Sequence, residues 1–326
     1  SALLWIVHFL ILRGVQTAAS INLVATLAKL LPLGLFVVLA MMMFKLDTFK
    51  LDFTGLALGV PVWEQVKNTM LITLWVFIGV EGAVVVSARA RNKRDVGKAT
   101  LLAVLSALGV YLLVTLLSLG VVARPELAEI RNPSMAGLMV EMMGPWGEII
   151  IAAGLIVSVC GAYLSWTIMA AEVPFLAATH KAFPRIFARQ NAQAAPSASL
   201  WLTNICVQIC LVLIWLTGSD YNTLLTIASE MILVPYFLVG AFLLKIATRP
   251  LHKAVGVGAC IYGLWLLYAS GPMHLLLSVV LYAPGLLVFL YARKTHTHDN
   301  VLNRQEMVLI GMLLIASVPA TWMLVG

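Results

Sequence analysis

Nine stretches of the sequence are predominantly apolar over about the length that a helix needs to cross a membrane. They fall at about 21–44, 68–90, 98–122, 147–172, 199–217, 222–245, 254–270, 273–292 and 307–325. Roughly 20 helical residues cover the ~30 Å hydrocarbon core of a bilayer. The alternation of apolar and polar positions that a β-barrel requires is not seen, and a segment in lipid must satisfy its own backbone hydrogen bonds. The sequence therefore predicts an all-α, polytopic helical membrane protein.

The composition supports this prediction. Hydrophobic residues make up 62% of the 326 residues and charged residues 11%, against roughly 25% charged residues in soluble domains. Residues 1–12 are also apolar, but they are too short to cross a bilayer and lack the features of a signal peptide. We expect them to be the trailing half of a helix that begins before residue 1, which would make the chain a fragment.

Lysine and arginine residues are distributed unevenly between alternate loops. If residues 1–12 end in the cytoplasm, 15 basic residues fall on the cytoplasmic side and 5 on the other side, which is the bias typical of membrane proteins. The basic loops are therefore predicted to be cytoplasmic and to carry the net charge of +7. No basic-aromatic patch indicates nucleic-acid binding. Lipid-facing and partner-facing apolar surfaces have the same composition, so a homo-oligomer stays open.

Ionisable residues well inside the predicted spans are candidates for function, because such a side chain is costly in lipid and must face protein or water. They are Lys29, Glu81, Glu172 and Glu230. Glu81 is the strongest candidate, since Gly79 and Gly82 bracket it and glycine weakens a helix by about 1 kcal/mol relative to alanine. A broken helix here would line a cavity. The alternative is a straight helix whose small residues permit close packing.

The stretch around Glu81 resembles a known family. The pattern Trp75-x-Phe77-Ile78-Gly79-Val80-Glu81, followed by Arg91-Asn92-Lys93-Arg94-Asp95-Val96, is similar to the sixth helix and following loop of the amino acid–polyamine–organocation (APC) transporters. The similarity is greatest to the bacterial basic amino acid antiporters, especially the arginine/ornithine exchangers. Three more stretches resemble the fifth, eighth and tenth helices of that family: Lys29-Leu30-Leu31-Pro32, Leu164-Ser165-Trp166 and Leu233-Val234-Pro235-Tyr236.

The resemblance implies a LeuT-like inverted-repeat fold that this chain would enter within the fourth transmembrane helix. Residues 1–326 would form a single transmembrane domain, with 1–44 as the remnant of the first repeat, 68–245 as the second repeat and 254–325 as three C-terminal helices. The first helix of the family, whose glycine-rich break binds the α-amino and carboxylate groups of the substrate, would precede residue 1. The implied location is the bacterial inner membrane.

The resemblance also implies roles for individual residues around the expected break. The backbone at Ile78, Gly79 and Val80 would lie beside the bound amino acid. Trp75 would pack on the substrate side chain, and Trp166 would act as an aromatic gate. Glu81 would be the acidic switch that couples substrate binding to gate movement. Relatives with acidic substrates carry the same glutamate, so Glu81 does not by itself prove a cationic substrate.

Each of the other three ionisable residues has two interpretations. Lys29 matches a lysine of sodium-independent relatives at the place where sodium-coupled members bind their ion; the alternative is a lysine that extends to the membrane interface. Glu172 either pairs with a basic residue at the cytoplasmic end of its helix or helps to bind cations. Glu230 is a possible site residue, but a buried structural hydrogen bond is favoured, because it precedes Pro235, which frees the carbonyl of Met231.

The predicted function is secondary exchange of a basic amino acid, arginine for ornithine or a related cation, by alternating access. The alternatives are proton-coupled uptake of lysine or another amino acid, and exchange for a decarboxylated amine. No nucleotide-binding loop occurs, and no cofactor is expected.

We expect no enzyme, because His8, His180, His252 and His274 share no spacing motif. We expect no metal site, because Cys206 and Cys210 share a helix face without histidine or carboxylate partners and the cluster His296-Thr297-His298-Asp299 is predicted to be a solvated loop. A channel or scaffold suits buried carboxylates less well than a binding site does.

Overall fold

The described part of the chain is helical. The computed structural model describes residues 1–85, 87, 90, 92–131, 133–218, 221–296, 302 and 304–325, and these contain no β-strand. The longer helices are α1 (Ala2–Leu12), α2 (Val15–Met43), α4 (Val62–Phe77), α6 (Lys93–Val121), α8 (Ser134–Met143), α9 (Pro145–Thr179), α10 (Ser197–Thr217), α11 (Tyr221–Ile246), α12 (Pro250–Ser270), α13 (Pro272–His296) and α14 (Arg304–Val325). Short helices are α3 (Leu46–Lys50), α5 (Gly82–Val85) and α7 (Arg124–Glu129). Arg89 and Arg91, two of the basic loop residues counted above, lie outside the described residues, as do Thr297, His298 and Asp299 of the predicted solvated loop.

Eight of the nine predicted apolar segments lie on a single helix to within a residue, and the described part of 68–90 comprises the end of α4, a turn and α5. The all-α prediction is confirmed. Within the described residues, six helices are long and apolar enough to cross a membrane, and the stretches Val62–Met70 and Ile72–Val85 make a seventh if this bent pair is counted as one span. Large apolar side chains on these helices are exposed, such as Leu102 at 65% and Ile156 at 65%. Such surfaces are stable in lipid and not in water, so the chain is a multi-pass membrane protein.

One compact unit comprises Ser1–Val62, Gly79–Val173 and Arg189–Gln208. It contains two clusters of buried apolar side chains. The first cluster, from α1, α9 and α10, is Val7, Ile11, Leu164, Ile168, Ala171 and Leu200. The second, from α2, α8 and α9, is Phe36, Ala40, Ala136, Leu138, Met139 and Ile151. The helix α9 contributes to both clusters and is therefore the central element against which this unit packs.

Polar side chains join α1 to α10 inside this unit. His8 and Asn204 are fully buried, and the amide Nδ2 of Asn204 lies 2.8 Å from Nδ1 of His8. Trp5 donates its indole N–H to Gln208 Oε1 at 3.2 Å. The ring of Trp201 lies 4.3 Å from that of His8 in an edge-on arrangement. Buried polar groups need partners, and Asn204 supplies one for Nδ1 of His8, while Nε2 of His8 is buried without one among the described residues.

A second compact unit comprises Trp63–Ile78, Pro174–Ala188 and Ile209–Gly326. Leu74, Leu233 and Leu266 form its buried apolar cluster. Pro235 lies inside α11 and does not end it. The hydroxyl of Tyr282 donates to the carbonyl of Met231, the carbonyl that Pro235 leaves without its helical N–H partner. A side chain from α13 therefore replaces the hydrogen bond that proline removes.

Glycines bring α11 and α12 close together within the second unit. A Cβ added at Gly263 would lie 3.1 Å from the Cα of Phe237, and one added at Gly240 would lie 3.0 Å from the Cβ of Ala259. These distances are shorter than most Cβ contacts in proteins, so a side chain at either position would push the neighbouring helix away. Association of helices in membranes depends on such small residues, because lipid supplies no hydrophobic driving force between them.

We expect the substitution Gly263→Leu to destabilise the protein by about 1–3 kcal/mol, because the backbone of α11 would have to move away. The thermal midpoint in detergent should fall by about 2–6 °C. Gly258 is the matched control, since it lies on the same helix and a Cβ there would meet nothing within 4 Å. Equal midpoints for Gly258→Leu and Gly263→Leu would contradict the proposed close packing.

Candidate functional site

The span around Glu81 is broken, as the sequence predicts. The helix α4 ends at Phe77, residues 78–81 form a turn, and α5 begins at Gly82. Gly79 adopts a φ of +106°, a conformation that residues with a Cβ rarely adopt. The alternative of a straight helix through this segment is therefore excluded. Glycine is required at position 79 by the backbone itself, independently of any packing role.

The carboxylate of Glu81 folds back onto the turn. The N–H of Gly79 donates to Glu81 Oε2 at 3.0 Å. The backbone carbonyl of Glu81 accepts the N–H groups of Val84 at 2.8 Å and Val85 at 3.0 Å, which starts α5. Glu81 thus stabilises the break in two ways. Its carboxylate accepts a backbone N–H that has no helical partner at the break, and its carbonyl accepts the first hydrogen bonds of the next helix.

The indole of Trp166 covers Gly79. A Cβ added at Gly79 would lie 3.0 Å from Trp166 Cζ2 and 3.4 Å from Cη2. The indole is in contact with the backbone at the break, yet 43% of the residue stays accessible. The structure therefore brings together Gly79, Glu81 and Trp166, three residues that the sequence analysis places in one site. Their combination offers a carboxylate and an exposed aromatic face, two groups that attract cations.

Three other predicted site residues lie in the break or just before it along the chain. Trp75 is half-buried on α4. The side chain of Ile78 is also half-buried and packs against the Leu74 cluster of the second unit, which leaves its backbone as the part available at the turn. Val80 is 37% exposed. Their roles in substrate contact stay predictions.

The remaining ionisable residues differ in burial. Glu172 on α9 and Glu230 on α11 are 1% and 2% exposed, so both are enclosed by protein, as expected for carboxylates inside a span. Lys29 is half-buried on α2, one turn before Pro32. The assigned roles of Lys29, Glu172 and Glu230 stay predictions.

An open groove lies between α2 and α9 in the first unit. It has a volume of about 320 Å³ and is lined by Ala28, Leu31, Pro32, Leu35, Ile150, Ala153, Gly154 and Val157. The ring of Pro32 contacts the backbone at Gly154, where a Cβ would collide with it. Because every lining side chain is apolar, this groove does not suit an amino acid or a metal ion. Among the described residues, no group of three or more histidine, cysteine or carboxylate side chains is placed to hold a metal.

Two contacts in the first unit were not anticipated from the sequence. The sulfur of Met169 on α9 packs against Gly82, and the buried pair of His8 and Asn204 joins α1 to α10. A methionine in an apolar helix carries no signal that separates it from its neighbours. The histidine pair unites residues 196 positions apart, and no local spacing reveals such a contact.

Comparisons with known proteins identify the family of the chain. The family model for amino acid permeases matches residues 1–314. An arginine/ornithine antiporter of Pseudomonas aeruginosa is 44% identical over 313 residues, covering 90% of this chain and 65% of that protein. An arginine/agmatine antiporter of Chlamydia caviae is 41% identical, with coverage of 92% and 65%. That of Chlamydia pneumoniae is 38% identical, with coverage of 98% and 70%.

The chain spans just under two thirds of the length of the first two relatives. The family model nevertheless covers nearly the whole chain, and it includes the broken span, Glu81 and Trp166. The chain belongs to the amino acid permease family.

Proposed function

We propose that the protein is a secondary active antiporter that exchanges arginine for ornithine or a related cation by alternating access. The observation that carries this proposal is the broken span, in which a carboxylate and an aromatic face meet at released backbone groups. Broken helices of this kind bind solutes at the middle of a membrane. The arginine/ornithine and arginine/agmatine antiporters among its relatives support a basic amino acid as substrate.

In the proposed mechanism the substrate cation competes with a hydrogen bond inside the protein. Glu81 binds the Gly79 N–H in the described state. A substrate ammonium or guanidinium group that approaches the turn draws the carboxylate away, and this movement releases Gly79 and shifts the indole of Trp166. Trp75 and the backbone at Ile78 and Val80 adjoin the substrate.

Other parts of the protein support this cycle. Lys29 takes the place of a sodium ion, Glu172 helps to bind cations or pairs with a basic residue, and Glu230 is structural. The domain comprises a first-repeat portion at 1–44, a second repeat at 68–245 and C-terminal helices at 254–325. It resides in the bacterial inner membrane with its basic loops in the cytoplasm, which the 15-to-5 distribution of basic residues supports.

Exchange is tested with the intact protein reconstituted in liposomes. We expect uptake of labelled arginine when ornithine is present inside, and little uptake into empty liposomes, because exchange requires an internal solute. Uptake into empty liposomes that follows only an imposed proton gradient would contradict exchange and support proton-coupled uptake instead. Because the Chlamydia relatives are named arginine/agmatine antiporters, a further experiment places agmatine inside the liposomes. Agmatine lacks the α-carboxylate, so faster uptake in this experiment would identify an amine exchanger.

The charge of Glu81 is tested by Glu81→Gln. The amide oxygen can still accept the Gly79 N–H, but the charge that attracts a cation is lost. We expect the exchange rate to fall at least about tenfold, which corresponds to ~1.4 kcal/mol. Glu126→Gln is the control, since that carboxylate is exposed on the short helix α7. A Glu81→Gln protein that exchanges at the rate of the control would show that Glu81 acts only as a hydrogen-bond acceptor.

A further inference from the structure

The helix α9 touches the broken span at two points one helical turn apart. Trp166 lies on Gly79, as described above. Met169, three residues later, lies on Gly82: a Cβ added there would be 2.7 Å from its Sδ and 4.0 Å from its Cε. Residues three apart on a helix share a face, so one face of α9 holds both sides of the turn.

Glu81 lies between these two contacts. Its main chain is fixed to α5 by the hydrogen bonds that Val84 and Val85 donate to its carbonyl. Its carboxylate is fixed to Gly79 on the other side. The described part of α5 is the single turn Gly82–Val85, and one turn of helix is not stable by its own hydrogen bonds. The orientation of the Glu81 carboxylate therefore depends on the contacts that hold α5, which include those with α6 and the contact of Met169 at Gly82, next to Glu81 in the chain.

We infer that Met169 is a positioning residue, which keeps the Glu81 carboxylate on the Gly79 N–H by bearing on Gly82. The inference rests on the proposed function, because it assigns Met169 a part in the switching of Glu81. The two contacts differ in stiffness. An indole is rigid, whereas a thioether has three rotatable bonds and fills changing gaps. Met169 can therefore stay in contact with α5 as Glu81 moves, whereas Trp166 moves as a rigid gate that blocks or clears the substrate path.

Two substitutions and their combination test the contact. Met169→Ala removes the thioether, and Gly82→Ala adds a methyl group where the sulfur now lies. We expect each to lower the maximal exchange rate about threefold to fivefold, and the double variant to be faster than either, because the added methyl group refills part of the vacated space. Met169→Leu keeps the volume and should stay within about twofold of the unmodified protein. Gly109→Ala is the control for the added methyl, since a Cβ there meets nothing within 4 Å.

The kinetic constants separate positioning from a general structural role. Met169 is proposed to act on Glu81 and not on the substrate, so the substrate KM should change less than about twofold while the maximal rate per folded molecule falls. A double variant whose loss equals the product of the two single losses would overturn the inference. The inference would also be overturned if Met169→Ala changed the KM as well as the maximal rate and Met169→Leu showed the same losses.

A second measurement does not depend on transport. In a background without Cys160, Cys206, Cys210 and Cys260, Val80→Cys places a thiol on the turn, where residue 80 is partly exposed. Met169→Ala should speed its reaction with a thiol reagent at least about twofold, because the turn is less firmly held. Equal labelling rates would overturn the inference. If the unmodified protein shows no exchange, the proposed function fails, and this labelling comparison still tests the contact of Met169 with Gly82.

Discussion

Replacing Gly79 by alanine is expected to remove at least nine tenths of the exchange activity. At a φ of +106°, a residue with a Cβ is strained by about 1–3 kcal/mol. The new Cβ would also lie 3.0 Å from Trp166 Cζ2, and a rigid indole cannot bend away as a flexible side chain can. Relieving either the strained φ or the contact with the indole would rotate the peptide whose N–H donates to Glu81. The predicted loss is therefore about tenfold to a hundredfold in exchange rate.

Gly109→Ala makes the same chemical change in the middle of α6, where a Cβ meets nothing within 4 Å. It should leave exchange unchanged and stabilise the helix slightly, since alanine is the better helix former. Combining Gly79→Ala with Trp166→Ala then separates the two causes when the thermal midpoint in detergent is measured, because Trp166 is itself a proposed gate and its loss would lower exchange. A midpoint of the combined variant equal to that of Trp166→Ala would assign the destabilisation by Gly79→Ala to the indole contact, whereas a midpoint still lowered by the Gly79→Ala substitution would assign it to backbone strain. Full exchange by Gly79→Ala alone would contradict the proposed role of the turn.

The break itself could be predicted because its signal is local. Two glycines around a carboxylate inside an apolar span are an unfavourable sequence for a continuous helix, and the observed turn at 78–81 lies where they do. The positions of the membrane helices were predictable for a similar reason, since length and hydropathy alone determine them. The resemblance to a transporter family added Trp166, which no spacing rule would connect to Gly79.

The direction of the Glu81 side chain could not be predicted. A carboxylate bracketed by glycines can extend into a cavity or turn back to its own backbone, and the two conformations share one sequence pattern. The structure has it on the Gly79 N–H. Met169 was missed for a different reason: lipid and protein interior are equally apolar, so hydropathy does not tell which apolar residues of α9 touch α5.

His8 illustrates a further limit. A lone histidine in an apolar segment, without a spacing motif, gave no reason to expect a partner, yet it is fully buried against Asn204. Neither α1 nor α10 carries a lysine, arginine or carboxylate, and this pair joins them together with the contact between Trp5 and Gln208. Because both side chains are buried, the loss of their hydrogen bond should destabilise the protein, and the thermal midpoint measures this effect.

Asn204→Leu is expected to lower the thermal stability of the protein substantially. It leaves Nδ1 of His8 buried without its partner, and an unpaired buried polar group costs about 1–3 kcal/mol. The midpoint of thermal unfolding in detergent should fall by about 2–6 °C. Gln208→Leu serves as the control, since that side chain is only half-buried and its bond to Trp5 is longer, at 3.2 Å.

The double variant His8→Leu/Asn204→Leu gives the sharper result. Each single substitution strands one buried polar group, whereas the double substitution strands neither and leaves two apolar side chains facing each other. The double variant should therefore unfold at a higher temperature than either single variant, with a coupling of about 0.5–3 kcal/mol. Additive losses would mean that the two side chains do not stabilise each other, and that α1 is held to α10 by the apolar cluster around Ile11 and Leu200 alone.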